Sequence, residues 1–245
     1  AENDFLPDLD AIPEETARRA KFIYINYPNN PTGAVATKAF YEKLVAWAKT
    51  YEVGVVSDLA YGALGYQGYE NPSFLSTPGA KDVGIEFYTF SKTFNMAGWR
   101  LAFAAGNDQM IEALNLIQDH LFVGIFPALQ EAGIAALLDP KSEEVVAQLN
   151  ATYDSRRDAF VQAAAKIGWQ AFPSRGSFYA WMPVPEGYTS ESFADLLLEK
   201  VHVAVAPGKG FGPAGDAYVR IGLLVEPERL VEAVDRIANL HLFNN

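Results

Sequence analysis

The sequence predicts an α/β protein: a mostly parallel sheet followed by a smaller α/β unit at the C-terminal end. Three observations carry this. Short runs rich in β-branched and aromatic residues recur, at 22–26, 53–57, 85–90 and 100–105. Long or helix-patterned connections separate them, which is how parallel strands are joined. Half of the 245 residues are apolar and 20% are charged, enough for a real core and too apolar for extended disorder.

The first run, Phe22-Ile-Tyr-Ile-Asn26, leads into a Pro/Asn/Gly cluster from Tyr27 to Gly33 and reads as a strand entering a loop. Thr37 offers an N-cap for a helix over 39–51, in which Phe40, Leu44, Trp47 and Ala48 share one face. Residues 53–57 form the second strand, with the loop 58–61 behind it. Residues 85–90 and 100–105 are the third and fourth strands. Residues 108–119, 127–138 and 142–167 are helical by pattern, and Ser142 with Glu143 and Glu144 reads as a helix start. Beyond Trp169, strands at 177–182, 203–205 and 218–223 alternate with helices at 190–200 and 227–240. A domain boundary is expected beside the long helix, giving units of 1–150 and 151–245.

Lys and Arg total 19 against 30 Asp and Glu, a formal net charge of −11. No dense Lys/Arg run appears, so nucleic acid and anionic membranes are poor partners. The chain has no cysteine, which excludes disulfides, thiolate metal sites and Cys nucleophiles. No stretch reaches the ~18 apolar residues of a membrane span. The start, Ala1-Glu-Asn-Asp, is neither a signal nor a transit peptide. A cytoplasmic location is the expectation.

Several motifs fail on inspection. Gly210-Phe-Gly-Pro-Ala-Gly215 matches G-x-G-x-x-G by letter, but a dinucleotide site needs that turn to open a helix. Here a strand-like run, 217–223, follows. There is no Walker motif and no G-x-S-x-G elbow. His120, His202 and His241 are scattered and read as structural or surface residues, so no metal site is expected.

Polar residues gather instead at the ends of the buried strands: Asn30-Pro-Thr-Gly33, Asp58 with Tyr61, Thr89-Phe-Ser-Lys92 with Arg100, and Arg220. Singly, each has a bland reading. An aspartate at a strand end is a turn residue, a lysine after a strand is solvated, and Arg220 on an alternating strand pairs with a nearby Glu. Together they supply a carboxylate, a phenol, an amide, an amine, small hydroxyls and two guanidiniums. That set suits an anionic, aromatic, carbonyl-bearing cofactor.

Tyr27-Pro-Asn-Asn-Pro-Thr-Gly33, Ser57-Asp-Leu-Ala-Tyr61, Ser91-Lys-Thr-Phe-Asn-Met-Ala-Gly-Trp-Arg100 and Tyr218-Val-Arg-Ile-Gly222 strongly resemble the class I/II aminotransferases. These are pyridoxal-phosphate (PLP) enzymes of fold type I. The spacings agree: 28 residues from Asn30 to Asp58, three more to Tyr61, and eight from Lys92 to Arg100. The likeness covers nearly the whole chain and is nearest to the methionine-salvage and diaminopimelate-type members. It implies the C-terminal part of a large, mostly parallel-sheet domain plus a small α/β domain. It also implies bound PLP, amino-acid and 2-oxo-acid substrates and a homodimer.

The resemblance assigns roles as well. Lys92 would hold the cofactor covalently and, once freed, move the proton between the substrate Cα and the cofactor C4′. Asp58 would pair with the pyridine nitrogen and keep it protonated. Asn30 and Tyr61 would bond the ring O3′. Thr89 and Arg100 would bind the phosphate, with Ser91 assisting. Arg220 would clamp the substrate α-carboxylate, with Asn30 beside it. Gly176-Ser-Phe-Tyr179 is also family-like, and serves either the substrate or packing.

Family members carry a longer N-terminal part, with a phosphate-binding loop, an aromatic over the pyridine ring and a tyrosine reaching into the partner subunit's site. This chain is therefore expected to be a fragment, inactive alone, with an unpaired sheet edge and an exposed apolar face. Members that take acidic substrates often place an arginine after the catalytic lysine. Residues 115–130 hold no Lys or Arg, and a carboxylate in an apolar wall without a partner is costly. A neutral side chain such as methionine is therefore favoured over aspartate. The alternatives are a carbon–sulfur lyase of the same fold, a diaminopimelate-type aminotransferase, the effector domain of a transcription regulator, or a degenerate scaffold.

Overall fold

A computed structural model describes residues 3–243. Ala1, Glu2, Asn244 and Asn245, the outer ends of the two expected units, lie outside the described residues. Helix α1 (Glu14–Arg19) precedes strand β1 (Phe22–Asn26). In β1 the pleat turns Ile25 into the core and leaves Phe22 and Tyr24 exposed on the other face. Helix α2 (Lys38–Tyr51) starts at Thr37, whose hydroxyl accepts from Phe40 N. It buries Phe40, Tyr41, Leu44 and Ala48, and fully burying a side chain such as Leu44 stabilises the fold by about 1.5–3 kcal/mol.

Strands β2 (Gly54–Asp58) and β3 (Gly84–Thr89) extend the sheet in parallel, with Asn26 opposite Asp58 and Asp58 opposite Phe87. Strand β4 (Ala102–Gly106) completes the order β1-β2-β3-β4. It runs antiparallel to β3, the exception in an otherwise parallel sheet. The reason is the connection: after α3 (Ala80–Val83) and β3, the chain makes only the short α4 (Phe90–Thr93) and a tight turn at Ala97–Trp99. A parallel return needs a longer crossover. Between β2 and β3, the buried Glu86 carboxylate accepts from Ser57 Oγ at 3.0 Å and Phe74 N at 2.8 Å. Those bonds offset its desolvation.

Helices α5 (Asp108–Leu121), α6 (Pro127–Leu138) and α7 (Ser142–Lys166) follow. Helix α7 starts at Ser142, with Glu143 and Glu144 in its first turn, as the sequence reads; Lys141 occupies the cap position, and the Ser142 hydroxyl donates to Ala136 O. The close approach of the end of α6 offers a carbonyl that the sequence does not reveal.

A second sheet has the order β5-β7-β6, formed by β5 (Tyr179–Pro183), β6 (Ala206–Pro207) and β7 (Tyr218–Gly222), all antiparallel. The strand expected at 203–205 is not one. Val203 and Val205 pack on the core with their side chains, but only Ala206 and Pro207 reach a ladder partner, on β7. Helices α8 (Ser190–Val201), with a Thr189/Ser192 capping box, and α9 (Pro227–Ala238) cover this sheet. Phe160, Trp169, Met182, Phe193, Leu197 and Val234 form its core, joined by Tyr61, Leu64 and Tyr66 from the loop after β2. Among the described residues, no helix is long and apolar enough to cross a membrane.

Candidate active site

The loop after β1 is organised by its own asparagines. Asn26 Nδ2 donates to Asp58 O at 3.0 Å, and its Oδ1 accepts from Asn30 N at 3.0 Å. Asn29 Oδ1 accepts from Thr32 N at 3.2 Å and Thr32 Oγ1 at 2.7 Å. Gly33 adopts φ +71°, and a Cβ there would fall 2.1 Å from Ser174 Oγ, so only glycine fits this turn. With the loop so tied, the Asn30 side chain turns toward the second sheet.

Asp58 ends β2. Its Oδ1 accepts from Ala60 N at 3.0 Å, and its Oδ2 lies 3.3 Å from the Tyr24 hydroxyl. Desolvation, then the Asp58 charge and hydrogen bond, push the Tyr24 phenol up. Three residues on, Tyr61 is buried, edge-on to Phe178 at 5.2 Å and to Tyr179 at 6.0 Å between ring centroids. Burial first, and then the Tyr179 hydroxyl, hold the Tyr61 phenol well above its ordinary value, with Arg220 opposing. Tyr61 is therefore a neutral hydrogen-bond donor at any physiological pH.

Thr89 ends β3 and caps α4. Its Oγ1 accepts from Ser91 N at 3.2 Å and lies 2.9 Å from Ser91 Oγ. Lys92 follows on the same turn. Its Nζ sits 5.9 Å from the Tyr61 ring centroid and 5.7 Å from that of Phe178. Arg100 adopts φ +53°, is exposed, and donates from Nη1 to Ala97 O at 2.9 Å. Among the described residues, Lys92, Arg100 and Arg220 form no salt bridge.

Arg220 stands at the middle of β7, opposite Trp181. Its Nη1 donates to Asn30 Oδ1 at 2.8 Å across 190 residues of chain. Its guanidinium carbon lies 4.2 Å from the Tyr179 ring centroid and 4.8 Å from that of Phe211. The structure thus brings Asn30, Tyr61, Lys92 and Arg220 to one place where the two sheets meet, with Asp58 beside Tyr61. Thr89 and Ser91 adjoin through the turn that carries Lys92. One Arg100 donor, Nη1, bonds Ala97 O, and the side chain makes no hydrogen bond to Thr89 or Ser91. Tyr24 and Phe211 are neighbours that the sequence did not mark. Tyr24 shares a strand face with Asn26, so period-two counting back from Asn26 was the available signal.

Three parallel strands whose C-terminal ends carry a carboxylate, a hydroxyl and an uncommitted amine, facing an arginine on a second antiparallel sheet, define the fold-type I class of PLP proteins. Within that class the chain belongs to the family described as aminotransferase class I and II, whose profile matches residues 1–237. It is 57% identical over 98% of its length to the L-glutamine–4-(methylsulfanyl)-2-oxobutanoate aminotransferase of Bacillus subtilis. It is 49% identical over 97% of its length to the LL-diaminopimelate aminotransferase of Moorella thermoacetica. In both cases it spans 60% of the relative. A substrate-bound BacF structure from Bacillus subtilis superposes with a TM-score of 0.93 at 46% identity, over 99% of this chain and 61% of that one.

Proposed function

We propose that this chain is the cofactor- and carboxylate-binding part of a PLP-dependent aminotransferase. It would move an amino group between an amino acid with a neutral or apolar side chain, methionine first, and a 2-oxo acid. The observation that carries the reading is Lys92, a primary amine against two aromatic rings with no carboxylate partner among the described residues. Across from it, Nη2 and Nε of Arg220 are equally uncommitted.

The donor set fits PLP, the cofactor that members of this family use. Thr89, Ser91 and Arg100 would hold the phosphate. Asp58, steadied by Ala60 N and Tyr24, would pair with the ring nitrogen. Asn30 Nδ2 and the neutral Tyr61 phenol would donate to the ring oxygen. When bound, PLP supplies a sink for the electron pair left on the substrate Cα. The chain's own residues do the rest. Arg220 holds the α-carboxylate and so fixes the direction of the Cα–H bond. Lys92 Nζ takes the Cα proton. The Tyr61 and Phe178 rings flank the amine.

The name of the Bacillus subtilis relative supports a 2-oxo acid with a neutral, sulfur-containing side chain as acceptor. A diaminopimelate-type substrate is the second reading, favoured by the name of the Moorella relative. Its distal carboxylate would need a cation that residues 115–130 do not supply. A homodimer belongs to the same proposal, supported by the exposed Leu116, Leu121, Phe122, Phe126 and Leu138 of the α5–α6 region. So do a cytoplasmic location and a division into units of 1–150 and 151–245.

The test is to mix the protein with PLP, reduce with borohydride and map modified peptides by mass spectrometry. A pyridoxyl group confined to Lys92 is expected. Label spread over other lysines, or none on Lys92, would count against the reading. An amino-donor panel of methionine, glutamine, diaminopimelate and aspartate then ranks the substrates. Release of ammonia and pyruvate, with no transfer, would point to a carbon–sulfur lyase.

A further inference from the structure

The glycine-rich segment that fails as a dinucleotide motif has a built conformation. At Gly208 a Cβ would fall 2.1 Å from Gly215 O and 2.4 Å from Tyr218 O; at Gly215 it would fall 2.1 Å from Gly208 O. Two backbone stretches therefore press together where no side chain fits. Lys209 N donates to Ser190 Oγ at 3.2 Å, and Gly212 N and Gly215 N close successive turns at 3.1 Å and 2.9 Å. The outcome of this folding is the place of one ring. Phe211 lies edge-on to Trp181 at 6.0 Å and has its centroid 4.8 Å from the Arg220 guanidinium, yet it stays 42% exposed. A core phenylalanine would not be left so open.

We propose that Phe211 is a positioning residue for Arg220, flanking the guanidinium with Tyr179 so that its free donors present one fixed fork to a substrate carboxylate. Asn30 Oδ1 holds the Nη1 corner and the rings of Tyr179 and Phe211 bound the guanidinium. Nη2 and Nε have no hydrogen-bond partner among the described residues, and they are the donors left for a two-point grip. The rings exclude water without competing for hydrogen bonds, and their negative faces favour the cation. This inference rests on the reading of Arg220 as the carboxylate clamp.

The experiment compares Phe211→Tyr, Phe211→Leu and Arg220→Lys with the unaltered chain. Two readouts apply: the NMR signals of the Arg220 Nε–H and its neighbouring methylene protons without ligand, and the Kd for 2-oxobutanoate. Phe211→Tyr is expected to keep both the ring-shifted arginine signals and the affinity. Phe211→Leu keeps apolar bulk but no ring. It is expected to lose the shift and weaken 2-oxobutanoate about threefold to tenfold, with PLP capture unchanged. A Phe211→Leu chain that matches the unaltered one in both readouts overturns the inference. So does a Phe211→Tyr chain as weak as Phe211→Leu. Affinity for 2-oxobutanoate unmoved by Arg220→Lys overturns the clamp reading, and the inference with it. Affinity that needs Arg220 but ignores Phe211→Leu overturns the inference alone.

Discussion

The two sheets deliver their functional groups in opposite ways. In the first, Asp58 ends β2, Thr89 ends β3 and Lys92 sits on the turn just beyond. Strand length and register decide where those groups emerge, as is usual at the C-terminal edge of parallel strands. In the second, Arg220 projects from the middle of an antiparallel strand, and its direction is set by Asn30, Tyr179 and Phe211. The coverings differ as well. Helix α9 buries Leu230, Val234 and Ile237, whereas α5, also amphipathic, buries none of its side chains. The difference teaches that a charged side chain can be placed chiefly by backbone register or chiefly by neighbouring side chains.

The comparison predicts separable failures. Lys92→Ala in an active form of the protein should abolish turnover, by at least about 10³-fold, and remove the covalent label. Normal turnover in steady-state assays would remove the first sheet's claim to the chemistry. Next in size is a pair of leucine changes, one buried and one open. Leu230→Ala should cost about 2–5 kcal/mol in urea unfolding, while Leu121→Ala, on the open face of α5, should shift it by less than about 0.5 kcal/mol. Similar losses would mean that α5 is covered after all. Arg220→Ala should weaken amino-acid and 2-oxo-acid binding by about 2–3 kcal/mol and leave PLP capture unchanged, measured by titration. An effect on PLP alone would merge the two sheets' tasks.

The smallest effect concerns alkaline pH. Burial raises the phenols of Tyr27 and Tyr41 in the first core and of Tyr61 and Tyr66 in the second. A raised pKa means that the folded state binds the proton more tightly. Its contribution is complete below pH 10, the ordinary phenol value, and declines as pH rises past that point. Phenolate absorbance of these four should therefore appear together with loss of the circular dichroism signal. Ionisation in a folded chain at the ordinary midpoint would show that one of the cores is wetter than the structure has it.

Much of this was legible in short-range pattern. The strands at 22–26, 53–57 and 85–90 and the helix capped by Thr37 follow from alternation, helical spacing and a hydroxyl before an apolar face, and all are observed within a residue or so. The gathering of Asn30, Tyr61, Lys92 and Arg220 was legible through the resemblance rather than through spacing. What stayed hidden depends on how the chain turns and on which groups it meets in three dimensions. The direction of β4 depends on how residues 90–101 turn. The failure of 203–205 as a strand shows only in the ladder, where Ala206 and Pro207 pair with β7 and the three residues before them do not. Ser142 found a carbonyl on the preceding helix. Helix α1 is only six residues long, too short for periodicity to register. Phe211 sat inside a motif that was judged only as a phosphate loop, so its ring went unread.

The contact between Gly33 and Ser174 reaches further than loop packing. Arg175 N donates to Gly33 O, Tyr66 N to Arg175 O and Ser177 N to Leu64 O, and Gly65 bridges to Gly176. Residues 174–177 are thereby sewn to two loops of the first sheet just before β5 begins. The seam fixes where β5 starts, and because β7 pairs with β5 it also fixes, through that ladder, where Arg220 meets Asn30.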